Sequence, residues 1–356
     1  MAESLEELVS RRPRIMVLGA GGGGDALGAL MLYARIKRLG GEPVLASVVW
    51  ERWRIDPVPG PIPLESLVNA RRIGWSLALV NGGTEAVRHE SRVKPQIARI
   101  AGRIGVEALF VDLSKGSEGV REAVEDAARE LGIEAIIALD TGGDMLAEGC
   151  EDGLWSPLAD AVSLSGVAAS SVADKIVAVL APGADGELSA GEVLAHISYL
   201  ASRGALIGAY GLSRAEYRLL RKVEGYVESE ASKIPLRAFE GYNGLTRIRG
   251  GIRTVEVSPL STTLFLLDGA RVYEESGMAK EVDGTRSIAE ARERLNKRCI
   301  YTELDLEIDL ARIRQEGLAE KATVDEIRRE GRRRLLLEGC RPFTCSRRPP
   351  SPPDRL

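Results

Sequence analysis

The sequence predicts a doubly wound α/β protein built on a mostly parallel, Rossmann-like sheet. Three observations carry this. Short aliphatic runs alternate with longer amphipathic stretches through residues 1–205, the first run feeds a glycine-rich loop and then a helix, and later runs end in turns bearing Gly and Asp. Such alternation is the pattern of βαβ units, whose crossover helices cover the sheet and leave the C-terminal strand ends as a rim.

Taken in order, strands are expected at Arg14–Leu18, Val44–Trp50, Ser76–Val80, Ala108–Asp112, Ala135–Leu139 and Ile176–Leu180. Helices are expected between them at Asp25–Leu39, Glu85–Arg103, Ser117–Leu131, Leu158–Val172 and Ser189–Ser202. After Arg203 the rhythm changes. Ser213–Ser229 reads as a helix, and IRTVEVS and TTLFLLD read as strands with no helix between them, so residues 206–305 are expected as an α+β addition packed on the core. Ile288–Asn296 and Leu306–Leu337 read as helices, residues 306–345 as a C-terminal helical segment, and the Pro-rich residues 346–356 as a disordered tail.

With 356 residues and 44% hydrophobic content, the chain can bury one large core or two ordinary ones. Its net charge of −4 gives no general attraction to nucleic acid or to a membrane surface, and neither is expected as a partner. No apolar run approaches the ~18 residues of a spanning helix, and the acidic N-terminus MAESLEELVSRRPR lacks the apolar segment of a secretory signal. Cys150, Cys299, Cys340 and Cys345 show no CxxC spacing, which fits a reduced compartment and a cytoplasmic location. Four Asn and two Gln beside abundant Arg and Glu hint at a hot habitat.

The segment PRIMVLGAGGGGDALGALMLYARI places Gly19, Gly21, Gly22, Gly23 and Gly24 between a strand and a helix that opens at Asp25. Glycines let a ligand approach backbone N–H groups, and a helix N-terminus adds free donors and a favourable dipole, the requirements of a phosphate cradle. The spacing Gly19-x-Gly21-x-x-Gly24 matches a dinucleotide fingerprint, with Glu51 after the second strand placed as a ribose-binding acid. No Gly-x-x-x-x-Gly-Lys-Ser/Thr is present, which disfavours an ordinary P-loop ATPase. The Asp25 carboxylate would repel a phosphate unless a cation or a sugar hydroxyl lies between them, so Mg²⁺ is expected there. A tight strand-to-helix turn with Asp25 as a cap is the plainer alternative.

IEAIIALDTGGDMLAEG repeats the arrangement, with Asp140, Thr141, Gly142, Gly143 and Asp144 after a strand. Asp25, Asp140 and Asp144 are the candidate catalytic residues, Asp25 and Asp144 the candidate Mg²⁺ ligands, and an Asp-capped turn the bland reading. LAPGADGELS adds Asp185 and Glu187, and NGGTE adds Asn81–Glu85, as further parts of one rim. The basic run RHESRVKPQIARIAGR, with Arg88, Arg92, Lys94, Arg99 and Arg103, reads as a solvated helix face. In TRIRGGIRTVEVSP, Arg249 and Arg253 could clamp a phosphate or simply decorate a β-hairpin. His196 reads as a packed helix residue, and neither a Gly-x-Ser-x-Gly elbow nor a Cys150–His pair supplies a nucleophile.

In GAGGGGDALGAL, LDTGGDMLAEG, APGADGEL and RGGIRTVEVSP, the chain resembles an archaeal and actinobacterial family catalogued as a domain of unknown function, DUF1152, over most of residues 14–310. That family brings no established activity, so the resemblance implies no catalytic role. LGAGGGGD also looks like the opening nucleotide loop of the tubulin-like cell-division GTPases, but their second Gly-Thr-rich phosphate loop is not found. The leading expectation is a Mg²⁺-dependent group-transfer or hydrolytic enzyme acting on a nucleotide or another phosphorylated small molecule, assembled as a homo-oligomer. The alternatives are an NAD(P)-linked oxidoreductase and a non-catalytic ligand-binding or assembly protein.

Overall fold

The computed structural model describes residues 3–316 and 323–347. Nine strands form the central sheet: β1 (Arg14–Gly19), β2 (Glu42–Val48), β3 (Arg71–Arg72), β4 (Leu77–Val80), β5 (Ala108–Val111), β6 (Ala135–Thr141), β7 (Asp174–Leu180), β8 (Leu206–Gly211) and β9 (Thr263–Asp268). Their order is β8-β9-β7-β6-β1-β2-β5-β4-β3. The five strands from β7 to β5 are parallel and stand in the 3-2-1-4-5 order of a Rossmann sheet, with β1 between β2 and β6. Antiparallel strands flank both sides, β9 and β8 beyond β7, β4 and β3 beyond β5.

The parallel strands are apolar at nearly every position because both faces are covered. Ile15, Val17, Ile137 and Leu139 pack on one side with helix α1 (Asp25–Arg38) and helix α2 (Gln96–Ile104). Met16, Leu18, Ile136 and Ala138 pack on the other with α3 (Gly116–Leu131), α4 (Pro157–Ala169) and α5 (Ala190–Ser202). The period-2 alternation of strand side chains thus divides the interior into two cores. The expected addition at residues 206–305 contributes β8 and β9 to the same sheet, and its antiparallel hairpin, Gly244–Ile248 with Arg253–Val257, reaches the rim.

Several expectations are corrected. Glu85–Arg103 is not one helix: Glu85–Arg88 and Ser91–Val93 pair as antiparallel strands, and only Gln96–Ile104 is helical. EAVR and SRV alternate as strands do, His89 takes a left-handed φ of 49° at the turn, and Pro95 stands just before the helix, so the helical period never begins upstream. Arg88 is consequently buried against Asp56 rather than solvated. The Asn81–Glu85 turn also leaves the proposed rim, because β4 runs antiparallel to β5 and ends at the opposite edge of the sheet.

The expected helix Leu306–Leu337 is two helices, Glu303–Gln315 and Val324–Leu337, each opened by a Thr capping box. Ser346 and Arg347, expected in the disordered tail, are held by Glu148; the rest of that expected tail, residues 348–356, lies outside the described residues. No described helix is long and apolar enough to cross a membrane.

The cysteines are paired rather than free: Cys150 with Cys345 and Cys299 with Cys340, 195 and 41 residues apart. Motif spacing finds only local pairs, whereas these are brought together by the C-terminal segment folding back on the core. Reducing these disulfides is expected to lower stability by about 2–4 kcal/mol by freeing the unfolded chain, readable as a lower melting temperature in dithiothreitol. An unchanged melting temperature would show that these bonds do not hold the fold.

Candidate functional site

The site lies where the sheet reverses direction. β1 and β6 are neighbours whose following chain segments leave on opposite faces, so a crevice opens above their C-terminal ends, the usual ligand position in open α/β sheets. The loop Gly19–Gly24 forms one wall and Asp140–Asp144 the other. The Ala20 amide donates to Leu139 O at 2.9 Å and the Gly142 amide to Leu180 O at 2.9 Å, stitching the three rim loops together.

Asp25 opens α1, and its carboxylate turns back over the glycine loop. Its Oδ2 accepts from the Gly21 amide at 2.7 Å and its Oδ1 from the Thr141 amide at 3.1 Å. Asp140, the sixth residue of β6, accepts the Met145 amide at 3.0 Å. Asp160, in the first turn of α4, meets them from the other face: a carboxylate oxygen from each of Asp25, Asp140 and Asp160 lies within 4.8 Å of the others. A second group, Asp144, Asp185 and Glu187, satisfies the same limit beside it. All six are at most 8% exposed.

Two of these carboxylates have an oxygen with no hydrogen-bond partner among the described residues, Oδ1 of Asp160 and Oδ2 of Asp185. Burial without a partner is costly for a carboxylate, and the protonation equilibria respond. Burial pushes Asp25 up to about 7 and Asp185 up to about 6, with the neighbouring acids adding to both. Burial first and mutual repulsion second raise Asp140, Asp144 and Asp160 well above the carboxylate range. Glu187 alone is lowered: burial opposes its charge, but Arg249, the Ser156 hydroxyl and the Trp155 and Ser156 amides outweigh that cost.

The glycine loop is shaped around these acids. A Cβ on Gly21 would stand 2.6 Å from Asp25 Oδ2 and 2.8 Å from Asp160 Oδ1, and one on Gly142 would stand 2.3 Å from Asp185 Oδ2. Gly142 also has φ +130°, which side-chain-bearing residues rarely adopt. Gly23 presses on Glu51, Gly24 on Ser229, and Gly19 on the first turn of α1, while Gly22 and Gly143 take positive φ. The Gly21 amide already serves Asp25 and the Gly23 amide serves Trp50 O at 3.1 Å. The loop therefore presents carboxylate oxygens to the crevice as well as backbone N–H groups.

Glu51 follows β2, is 2% exposed, accepts the Gln96 amide at 2.7 Å and keeps Oε2 without a partner. Burial raises it to about 7. Arg249 reaches the second acidic group from the hairpin tip and ion-pairs with Glu187, while its Nε donates to Asp185 O at 3.2 Å. Arg253 donates to Gly153 O and lies 4.3 Å from the Trp155 ring centroid, with Arg249 at 5.1 Å and Arg328 at 5.3 Å from the same ring. His196 packs in α5 with Glu151 at 3.1 Å, away from these groups.

The C-terminal segment roofs the crevice. Glu303 accepts the Leu158 and Ala159 amides at the start of α4 at 3.1 and 2.8 Å, and Glu307, one turn on, accepts Trp50 Nε1 and the Gly60 amide. A cavity of about 490 Å³ lies elsewhere, between Arg292 and Arg341.

Asp25 and Asp140, singled out in the sequence, are thus brought into one acidic group, while Asp144, expected as the second Mg²⁺ ligand beside Asp25, falls in the neighbouring group with Asp185 and Glu187. Asp160 and Glu303 were missed. Asp160 sits in the apolar run PLADAVSLSGVAA, where only the helix register aims it at the crevice, and no local signal marks it.

No curated protein matches the chain, and no solved structure does. One family model matches residues 16–311, described as Protein of unknown function (DUF1152). With its glycine loop, its Asp140–Asp144 turn and its hairpin arginines all inside that match, the chain belongs to the DUF1152 family.

Proposed function

We propose that the protein is a divalent-cation-dependent enzyme that transfers or hydrolyses a group on a nucleotide or another phosphorylated small molecule. The observation that carries the proposal is the convergence of Asp25, Asp140 and Asp160, three buried carboxylates that, among the described residues, have no cationic side chain paired to them and leave one oxygen of Asp160 unpartnered. Hard oxygen donors of this kind suit Mg²⁺, which typically keeps waters and takes its remaining positions from one or two carboxylates and substrate phosphate. A bound cation would supply charge stabilisation for a phosphoryl group in transfer and would also restore the acids to their ionised form.

The chain's own residues do the positioning. The Gly21 and Thr141 amides fix both oxygens of Asp25, the Met145 amide fixes Asp140, and the absence of side chains at Gly21 and Gly142 lets the acids lie against the loop backbone. Arg249, already neutralising Glu187, brings a guanidinium to the same rim for an anionic substrate.

In a thermal-shift titration the wild-type protein is expected to gain several degrees with millimolar Mg²⁺ or Mn²⁺, and Asp160→Asn to lose most of that gain. No gain in the wild type, or an equal gain in both, defeats the assignment.

A second reading rests on Glu51. Its position after β2, its unpartnered Oε2 and its contact with Gly23 suit a ribose hydroxyl, as in an NAD(P)-linked oxidoreductase. Nicotinamide released on denaturing the native protein would favour it.

A further inference from the structure

Resting on the cation reading above, we infer that the rim holds a second divalent cation between Asp144 and Asp185, so that a phosphoryl group is gripped by a pair of ions rather than by one. Three observations carry this second site.

The first is the pairing of the two acids. A carboxylate oxygen of Asp144 and one of Asp185 lie within 4.8 Å of each other, although two carboxylates offer only acceptors. A metal ion between them would turn that repulsion into shared coordination. The second is the unpartnered Oδ2 of Asp185, in a residue only 6% exposed. Its other oxygen is occupied by the Glu187 amide at 2.9 Å, so the free one is held in a fixed direction. The third is Gly142, where a side chain would collide with that oxygen, so that the turn is shaped to let the Asp185 carboxylate lie against its backbone.

Glu187 completes the acidic triad but is not the ligand. Its two oxygens take the Trp155 and Ser156 amides, the Ser156 hydroxyl and Arg249, which leaves little capacity for a metal. Its role is to hold Arg249 at the edge of the site. Asp144 and Asp185 then supply two oxygen ligands, and the remaining positions fall to water and substrate, the pattern of a magnesium site that works on phosphate. Paired cations of this kind clamp the attacking and leaving oxygens of an in-line displacement, which names the substrate class as a phosphate ester or anhydride.

The test is Mn²⁺ binding to the full-length protein near pH 8, counted by calorimetric titration and by electron paramagnetic resonance, with inorganic phosphate as the anion probe. The wild type is expected to bind two ions with spin coupling between them, and Asp185→Asn and Asp160→Asn one ion each without coupling. Phosphate is expected to bind the two-ion wild type at least tenfold more tightly than either variant. A single ion that Asp160→Asn abolishes and Asp185→Asn spares would overturn the second site while leaving the proposed function intact. A single ion lost only in Asp185→Asn would do the reverse. Circular dichroism of both variants establishes that they are folded, and retention of two coupled ions in Asp185→Asn would also overturn the inference.

Discussion

Arg249→Ala is expected to destabilise the protein by about 3–5 kcal/mol, the usual cost of leaving a buried charge without its partner. The Glu187 side chain is fully buried, and Arg249 is the cation paired with it. Removing the guanidinium strips away the charge that holds the Glu187 carboxyl below its ordinary range. It also removes the donor to Asp185 O and one of the three cations lying against Trp155. Denaturant unfolding measures the loss. The double variant Arg249→Ala/Glu187→Gln should recover a large part of it, because the orphaned charge is then gone. If the double variant is as unstable as the single one, the loss comes from packing of the hairpin and not from the ion pair.

The second large effect is on pH dependence. In EDTA the protein is expected to become less stable as pH rises from about 4.5 to about 8. The sign follows from linkage: a carboxyl whose folded pKa is raised binds its proton more tightly in the native state, so stability is greatest below the unfolded value and falls as pH rises to the folded one. Burial is the main cause for Glu303, raised to about 8, and for Glu307 and Asp25, each raised to about 7. For Glu303 alone, moving from an ordinary 4.5 to about 8 corresponds to at most about 5 kcal/mol, and less because the residue is only half-buried. Glu303→Gln should flatten that part of the profile. Saturating Mn²⁺ should flatten the part due to the rim acids, since the ion replaces the protons. A melting temperature in EDTA that climbs between pH 5 and pH 8 would contradict the burial of these acids as charged-form penalties.

The parallel core of the fold was legible because β1, β2, β5, β6 and β7 are covered on both faces and read as continuous aliphatic runs. Helix α1 was legible because the glycine loop marks its start. The hairpin at Glu85–Val93 was not, since its charged alternation resembles a helix face until the buried Arg88–Asp56 pair is seen. The direction of β4 was equally hidden, because a four-residue apolar strand carries no sign of which way it pairs. At the site, Asp25 and Asp140–Asp144 announced themselves through glycine-rich turns after strands. Asp160 lies in a helix, Glu303 lies 143 residues further along the chain from it, and nothing local relates either to the rim. The disulfides were illegible for the same reason, as each joins segments that meet only after the C-terminal helices fold back.

That fold-back makes the chain topologically closed. Cys299–Cys340 and Cys150–Cys345 tie two nested covalent rings, and the helices Glu303–Gln315 and Val324–Leu337 lie inside both. A single backbone cut anywhere between those helices would therefore leave one molecule, not two, because the piece carrying Val324–Leu337 stays tied through Cys340 and Cys345 to the piece that carries the sheet. Until the sulfur links are reduced, the last helix remains leashed to the sheet even after the peptide chain leading to it is broken.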